Sequence, residues 1–165
     1  MKKVIVGIFI LLVVGIGGYY GSFFFWKTMV NEALPMNTEM KAATSSASTD
    51  IAGAVANEPM VLREGTFGKV DFIHKGAGEA KLIRANGSYY IRFEDFRVTN
   101  GPDLYVYLAA DAENVAKDEY VSLGRLKGTE GSQNYEVRES DVNRYSTVVI
   151  WCQQFGVLFS YATLM

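Results

Sequence analysis

Residues Val4 to Trp26 form a stretch of 23 residues without one charged side chain, and this run requires the chain to meet two different solvents. As a helix rising 1.5 Å per residue it measures about 34 Å, enough to cross a hydrocarbon layer of ~30 Å with some tilt. A cleaved signal peptide is the competing reading. Its apolar part is normally shorter and ends in small residues, whereas this run ends in Phe23, Phe24, Phe25 and Trp26. The spacing and flanks predict an uncleaved signal anchor, residues 1–27, with Tyr19, Tyr20 and Trp26 at the headgroup level. Gly17 and Gly21 have the spacing that lets two such helices approach, a pattern also common by chance in a glycine-rich span. Lys2 and Lys3 precede the run and only Lys27 closely follows it. The positive-inside bias then places the N-terminus in the cytoplasm and the rest of the chain outside, as a single-pass protein of the cell membrane.

Residues 28–59 are mostly small or polar, and Ala42 to Thr49 offers no apolar face to bury, so the segment reads as a flexible linker. Met29, Met36, Met40 and Met60 are soft enough for copper but lack the local spacing of a ligand set. From Met60 onward the chain carries 12 Lys and Arg against 14 Asp and Glu, with the signs interspersed. That balance gives no footprint for nucleic acid.

In residues 60–165 the helical period is hard to find, while short β-branched and aromatic runs recur between turn signals. The runs are Lys69–His74, Ala80–Ala85, Tyr89–Phe93, Leu104–Ala109, Gln133–Val137, Thr147–Cys152 and Gly156–Tyr161. Their number and spacing predict an all-β domain, an antiparallel β-sandwich of two packed sheets, with a helical turn only in residues 111–119. Asn86-Gly87 between two runs is a two-residue hairpin signal, since both positions need positive φ. With Ser88 it also fits the N-glycosylation pattern, which matters only in a secretory-pathway host. Asn100-Gly101-Pro102-Asp103 marks a second reversal, because proline fixes φ and offers no N–H to a sheet.

Several stretches read together as more than generic β structure. They are Gly65-Thr66-Phe67, His74 to Ala80, Phe93 to Phe96, Gly101 to Leu108, Leu123 to Gly128, Gly131 to Tyr135 and Thr147 to Phe155. In combination they resemble the DM13 domain family, over essentially all of residues 62–165. The resemblance implies a β-sandwich module of secreted and membrane proteins that takes part in electron transfer, with a characteristic cysteine as its redox-active group. Cys152 stands at the matching position. One departure lies near the end: where the family pattern has glycine after the final phenylalanine, Phe159 is followed by Ser160.

Cys152 is the single cysteine, so no intrachain disulfide forms and a free thiol needs an explanation. Strand alternation puts Val148, Ile150 and Cys152 on one face and Val149 and Trp151 on the other. A buried thiol is inert core. A functional one is either a ligand to haem or copper, neither of which the sequence requires, or a thiol that cycles with a partner. Each functional route predicts a redox partner or other envelope protein. His74, the single histidine, is the candidate cofactor-binding companion of Cys152, although two ligands fall short of a zinc or copper set. Asp103 with Asp95 or Glu94 is a candidate cation site, set against a plain turn role for Asp103. Trp151, Tyr105 and Tyr107 are candidate electron relays, set against ordinary core packing. One histidine and no phosphate-binding glycine loop leave hydrolase and kinase templates without a foothold. Two readings stay open: a membrane-tethered redox module using Cys152, and a non-catalytic binding or adhesion module with Cys152 as filler.

Overall fold

A computed structural model describes residues 27–35, 59–117 and 119–165. The apolar run Val4–Trp26 and most of the linker segment lie outside the described residues. Among those described, no helix is long and apolar enough to cross a membrane.

Among the described residues, nine strands form two sheets. The five-stranded sheet has the order β1 (Met29–Asn31), β7 (Glu130–Val137), β4 (Ser88–Val98), β3 (Gly76–Ala85), β2 (Met60–Thr66). The four-stranded sheet runs β6 (Tyr120–Arg125), β5 (Leu104–Ala109), β8 (Thr147–Cys152), β9 (Val157–Thr163). All pairings are antiparallel except that of β1 with β7. The two inner faces meet in one core that includes Leu82, Ile91, Phe93, Phe96, Val106, Leu108, Val148 and Ile150. Phe93 touches three aromatic rings, Phe67, Phe96 and Tyr135, at centroid distances of 4.9, 4.8 and 5.2 Å. Those edge and tilted contacts suit the ring quadrupoles and add to the area each ring buries.

Phe93 and Phe96 lie three residues apart, so strict alternation would send them to opposite faces. A bulge resolves the conflict. The register of β4 against β7 shifts between Phe93 and Phe96, and Asp95 takes a positive φ of 47°. The extra residue returns Phe96 to the interior. The Asn86-Gly87 hairpin forms as its sequence predicts, both residues at positive φ between β3 and β4. A 3-10 turn, Asn114–Lys117, occupies the expected helical segment, and a second short turn, α1 (Glu139–Val142), stands before β8.

Three expectations need correction. Lys69–His74 is not a strand. The Asp71 carboxylate accepts the N–H groups of Ile73 and His74, each at 2.7 Å, and these local bonds curl the chain into a turn. A bridge between Lys69 and Lys75 is the ladder that remains there. Second, β2 and β6 are strands that the run-counting left out. Third, the segment read as linker opens with β1, held by more than its ladder: the Arg92 guanidinium donates to the Glu32 carbonyl at 2.7 Å, and the Glu32 carboxylate accepts from Lys127 Nζ and from the Asn134 N–H. Apolar periodicity cannot announce a strand fixed by polar side chains of other strands.

Chain connections define the two ends of the sandwich. At one end lie the turn after β2, the 99–103 and 125–130 connections, the β8–β9 turn, and Lys27 at the start of β1. The Asn86-Gly87 hairpin, residues 110–119 and α1 lie at the other.

Candidate functional site

Cys152 is the last residue of β8, cross-strand from Leu104 on β5 and Val157 on β9. Alternation places it as predicted, on the inner face with Val148 and Ile150. It is 0% exposed, in a core cluster with Leu104, Val106 and Phe159. Its carbonyl accepts the Gly156 N–H at 2.9 Å, closing the turn that carries the chain into β9. A thiol enclosed in this way is out of reach of a partner disulfide, because exchange needs a direct approach to the sulfur.

His74 occupies the turn between β2 and β3. Its Nδ1 lies 2.7 Å from the Asp71 carboxylate, and its ring packs against Phe159 at 4.5 Å. The His74 backbone N–H, followed by its ring, holds the Asp71 carboxyl down to about 2. No hydrogen bond joins His74 to Cys152 among the described residues. Phe159 is what they share, since it meets the His74 ring and belongs to the cluster that encloses Cys152.

The residues offered as metal ligands are spread over the described structure. Among the described residues no three His, Cys, Asp or Glu side chains converge on one point. His74 has its Nδ1 on Asp71 and its ring against Phe159. Met29 and Met60 stand on opposite edge strands of one sheet, and Met36 and Met40 lie outside the described residues. Asp103 pairs with Arg125, while Glu94 bonds Lys81 at 2.6 Å. Of the candidate cation site, Asp103 with Asp95 or Glu94, two carboxylates are thus each engaged by a basic side chain of another strand.

The outer face of the four-stranded sheet carries a second apolar layer, built on Tyr107, Ala109, Val115 and Val149, with Tyr105, Tyr120 and Trp151 packed against it. Trp151 is the cross-strand partner of Tyr105. Tyr105 and Tyr107 have ring centroids 6.0 Å apart, and Tyr107 stacks on Tyr120 at 4.1 Å. Burial, reinforced by the Tyr120 phenol, pushes the Tyr107 hydroxyl well above its ordinary range. Arg125 covers the exposed end of this row, 5.4 Å above the Tyr105 ring. Tyr120 is the member the sequence reading missed, though the alternating Tyr120-Val121-Ser122-Leu123 offered the signal.

The departure at Ser160 has a local explanation. Its hydroxyl is buried and donates to the Gly68 carbonyl at 2.8 Å, tying β9 to the turn that holds His74. Gly76 makes room for it, since a Cβ there would lie 2.0 Å from the Ser160 oxygen.

No curated protein and no solved structure matches the chain. A protein-family model described as Electron transfer DM13 matches residues 66–164, which takes in β3 to β9, the His74 turn, the aromatic row and Cys152. With that match spanning more than half of a chain that folds as two packed sheets, the protein belongs to the DM13 family.

Proposed function

We propose that this protein is a membrane-tethered electron-transfer module, a single-pass protein with its N-terminus in the cytoplasm and its domain outside. The family match over residues 66–164 carries the electron-transfer reading. The uncharged Val4–Trp26 run supports the tether. Cys152 is the candidate redox group, and its burial dictates how it would serve. A sealed sulfur is poorly suited to exchange with a partner thiol, so in this reading Cys152 would serve as the ligand of a bound one-electron cofactor, haem or copper, which takes up and releases the electron. Its chain neighbour Trp151 starts the aromatic row on the opposite face of the sheet, so the path this reading requires runs from the Cys152 region through Trp151 and Tyr105 to Tyr107 and Tyr120.

Voltammetry of the full chain in detergent tests it, alongside Cys152→Ala, Trp151→Phe and metal analysis. The expected result is a redox wave lost in Cys152→Ala and slowed in Trp151→Phe. A wave indifferent to Cys152→Ala would remove the cysteine from the path. A silent protein without metal would favour the second reading, a binding module of the cell envelope in which Cys152 is structural. The specific observation behind that alternative is the complete burial of the thiol in an apolar cluster.

A further inference from the structure

The turn between β2 and β3 carries apolar side chains that the described residues leave exposed. Phe72 is 82% exposed, Ile73 52%, and Val70 is exposed beside them. The exposure is not slack in the chain. Asp71 accepts two backbone N–H groups of the turn, Val70 donates to the His74 carbonyl at 2.9 Å, and Thr99 Oγ1 donates to the Ile73 carbonyl at 2.9 Å. A rigid turn that holds a phenylalanine out into solvent marks a contact surface. At the same end of the sandwich the β8–β9 turn exposes Phe155, by 61%.

Lys27 lies at this end too. It opens the described chain, directly after the uncharged run, and only Lys27 and Thr28 separate Trp26 from β1. Polar contacts fix β1 to the sheet, so the domain has no slack at this junction. Lys27, Lys69, Lys75, Arg97 and Glu130 line one cleft of about 550 Å³, which places the base of the apolar turn beside the point where the run joins the domain. Lys27 pairs with Glu130 at 2.5 Å, and the other three cations of the cleft, Lys69, Lys75 and Arg97, suit a surface of lipid phosphates, each contributing attraction near anionic headgroups.

Resting on the membrane-anchored reading above, we propose that this end of the domain docks on the anionic lipid surface, with Phe72 and Ile73 inserted at the headgroup boundary and Lys69, Lys75 and Arg97 against lipid phosphates. The linker then does not set the reach of the domain, because β1 docks before the rest of that segment begins. Trp151 and Tyr105 lie toward the membrane in this pose, and the row through Tyr107 to Tyr120 leads away from it.

The test uses the full chain in phosphatidylcholine vesicles with and without phosphatidylglycerol. An environment-sensitive fluorophore is attached at Phe72→Cys or, as a control at the far end, Ser140→Cys; the sealed Cys152 of the unmodified chain gives the labelling background. The expected result is blue-shifted emission at 72, quenched by lipids with a headgroup-level nitroxide and more strongly when phosphatidylglycerol is present, while the label at 140 remains in water. Equal, water-like emission at both positions in chains that survive an alkaline carbonate wash would overturn the docking and leave the anchor standing. Chain released into the wash would overturn the anchor, and the docking with it. Shielding at 72 that follows protein density rather than nitroxide lipid would overturn lipid docking in favour of a second copy of the chain.

Discussion

Asp71 makes a pH-dependent prediction that belongs to one side chain. Folding lowers its carboxyl from 3.8 to about 2, chiefly through the His74 N–H and the His74 ring. A carboxyl depressed on folding favours the folded turn fully above its unfolded value, and this contribution is lost as pH falls through about 2. Amide exchange at Ile73 and His74 is expected to stay slow through mildly acidic solution and to quicken between about pH 4 and 2. Asp71→Asn is expected to quicken it at every pH and to remove that acid-range dependence. Cys152 gives a second prediction at this scale. Cys152→Ala removes a fully buried sulfur, and denaturant unfolding should report a loss of about 1–2 kcal/mol, a small transfer penalty plus a partly collapsed cavity. The burial of Cys152 on the inner face was legible from strand alternation. The separate surroundings of His74 were not, because its ring contact, Phe159, lies 85 positions away in sequence.

β1 is an element that exists only because other strands hold it. Its pairing brings Val30 opposite Gly131, which has a φ of +102°, and a Cβ at Gly131 would lie 2.1 Å from the Val30 carbonyl oxygen. Gly131→Ala is therefore expected to displace β1. The protection of the Glu32 N–H, which donates to Ser132 at 2.8 Å, should fall, while β3 and β8 amides remain protected. Loss of protection across both sheets would instead mean that β1 is integral to the sandwich. Strands β3, β5, β7 and β8 were legible because branched and aromatic residues recur in them at strand spacing. The Lys69–His74 stretch has the same composition and forms a turn, since the Asp71 carboxylate captures the backbone bonds that a strand would have given to a neighbour.

At the scale of the molecule, the two sheets share one core and are also joined along an edge. Glu64 of β2 and Met165 exchange backbone hydrogen bonds of 3.1 and 2.9 Å, linking the edge strand β2 to the residues after β9. Cys152 lies in the shared core, so its thiol becomes reachable only when the sheets part. Alkylation of the native full chain is expected to be negligible, and its rate should rise with denaturant alongside the loss of near-UV ellipticity of the buried aromatics. Prompt alkylation in native buffer would show local opening of the β8–β9 end and would restore thiol exchange as a route.

The sequence by itself determined the all-β class, the Asn86-Gly87 hairpin, the inward face of β8 and the family, since each depends on local pattern or on residues in fixed order. Tertiary structure decided which candidate residues meet. It set His74 against Phe159 and Asp71, enclosed Cys152, matched Asp103 with Arg125, extended the aromatic row to Tyr120, and brought Lys27 into one cleft with Lys69 and Lys75. Those meetings depend on sheet order, on the bulge at Asp95 and on β1, all fixed by contacts between residues far apart in the chain. Periodicity tells which way a side chain points, and only the packed sheets tell what it meets there.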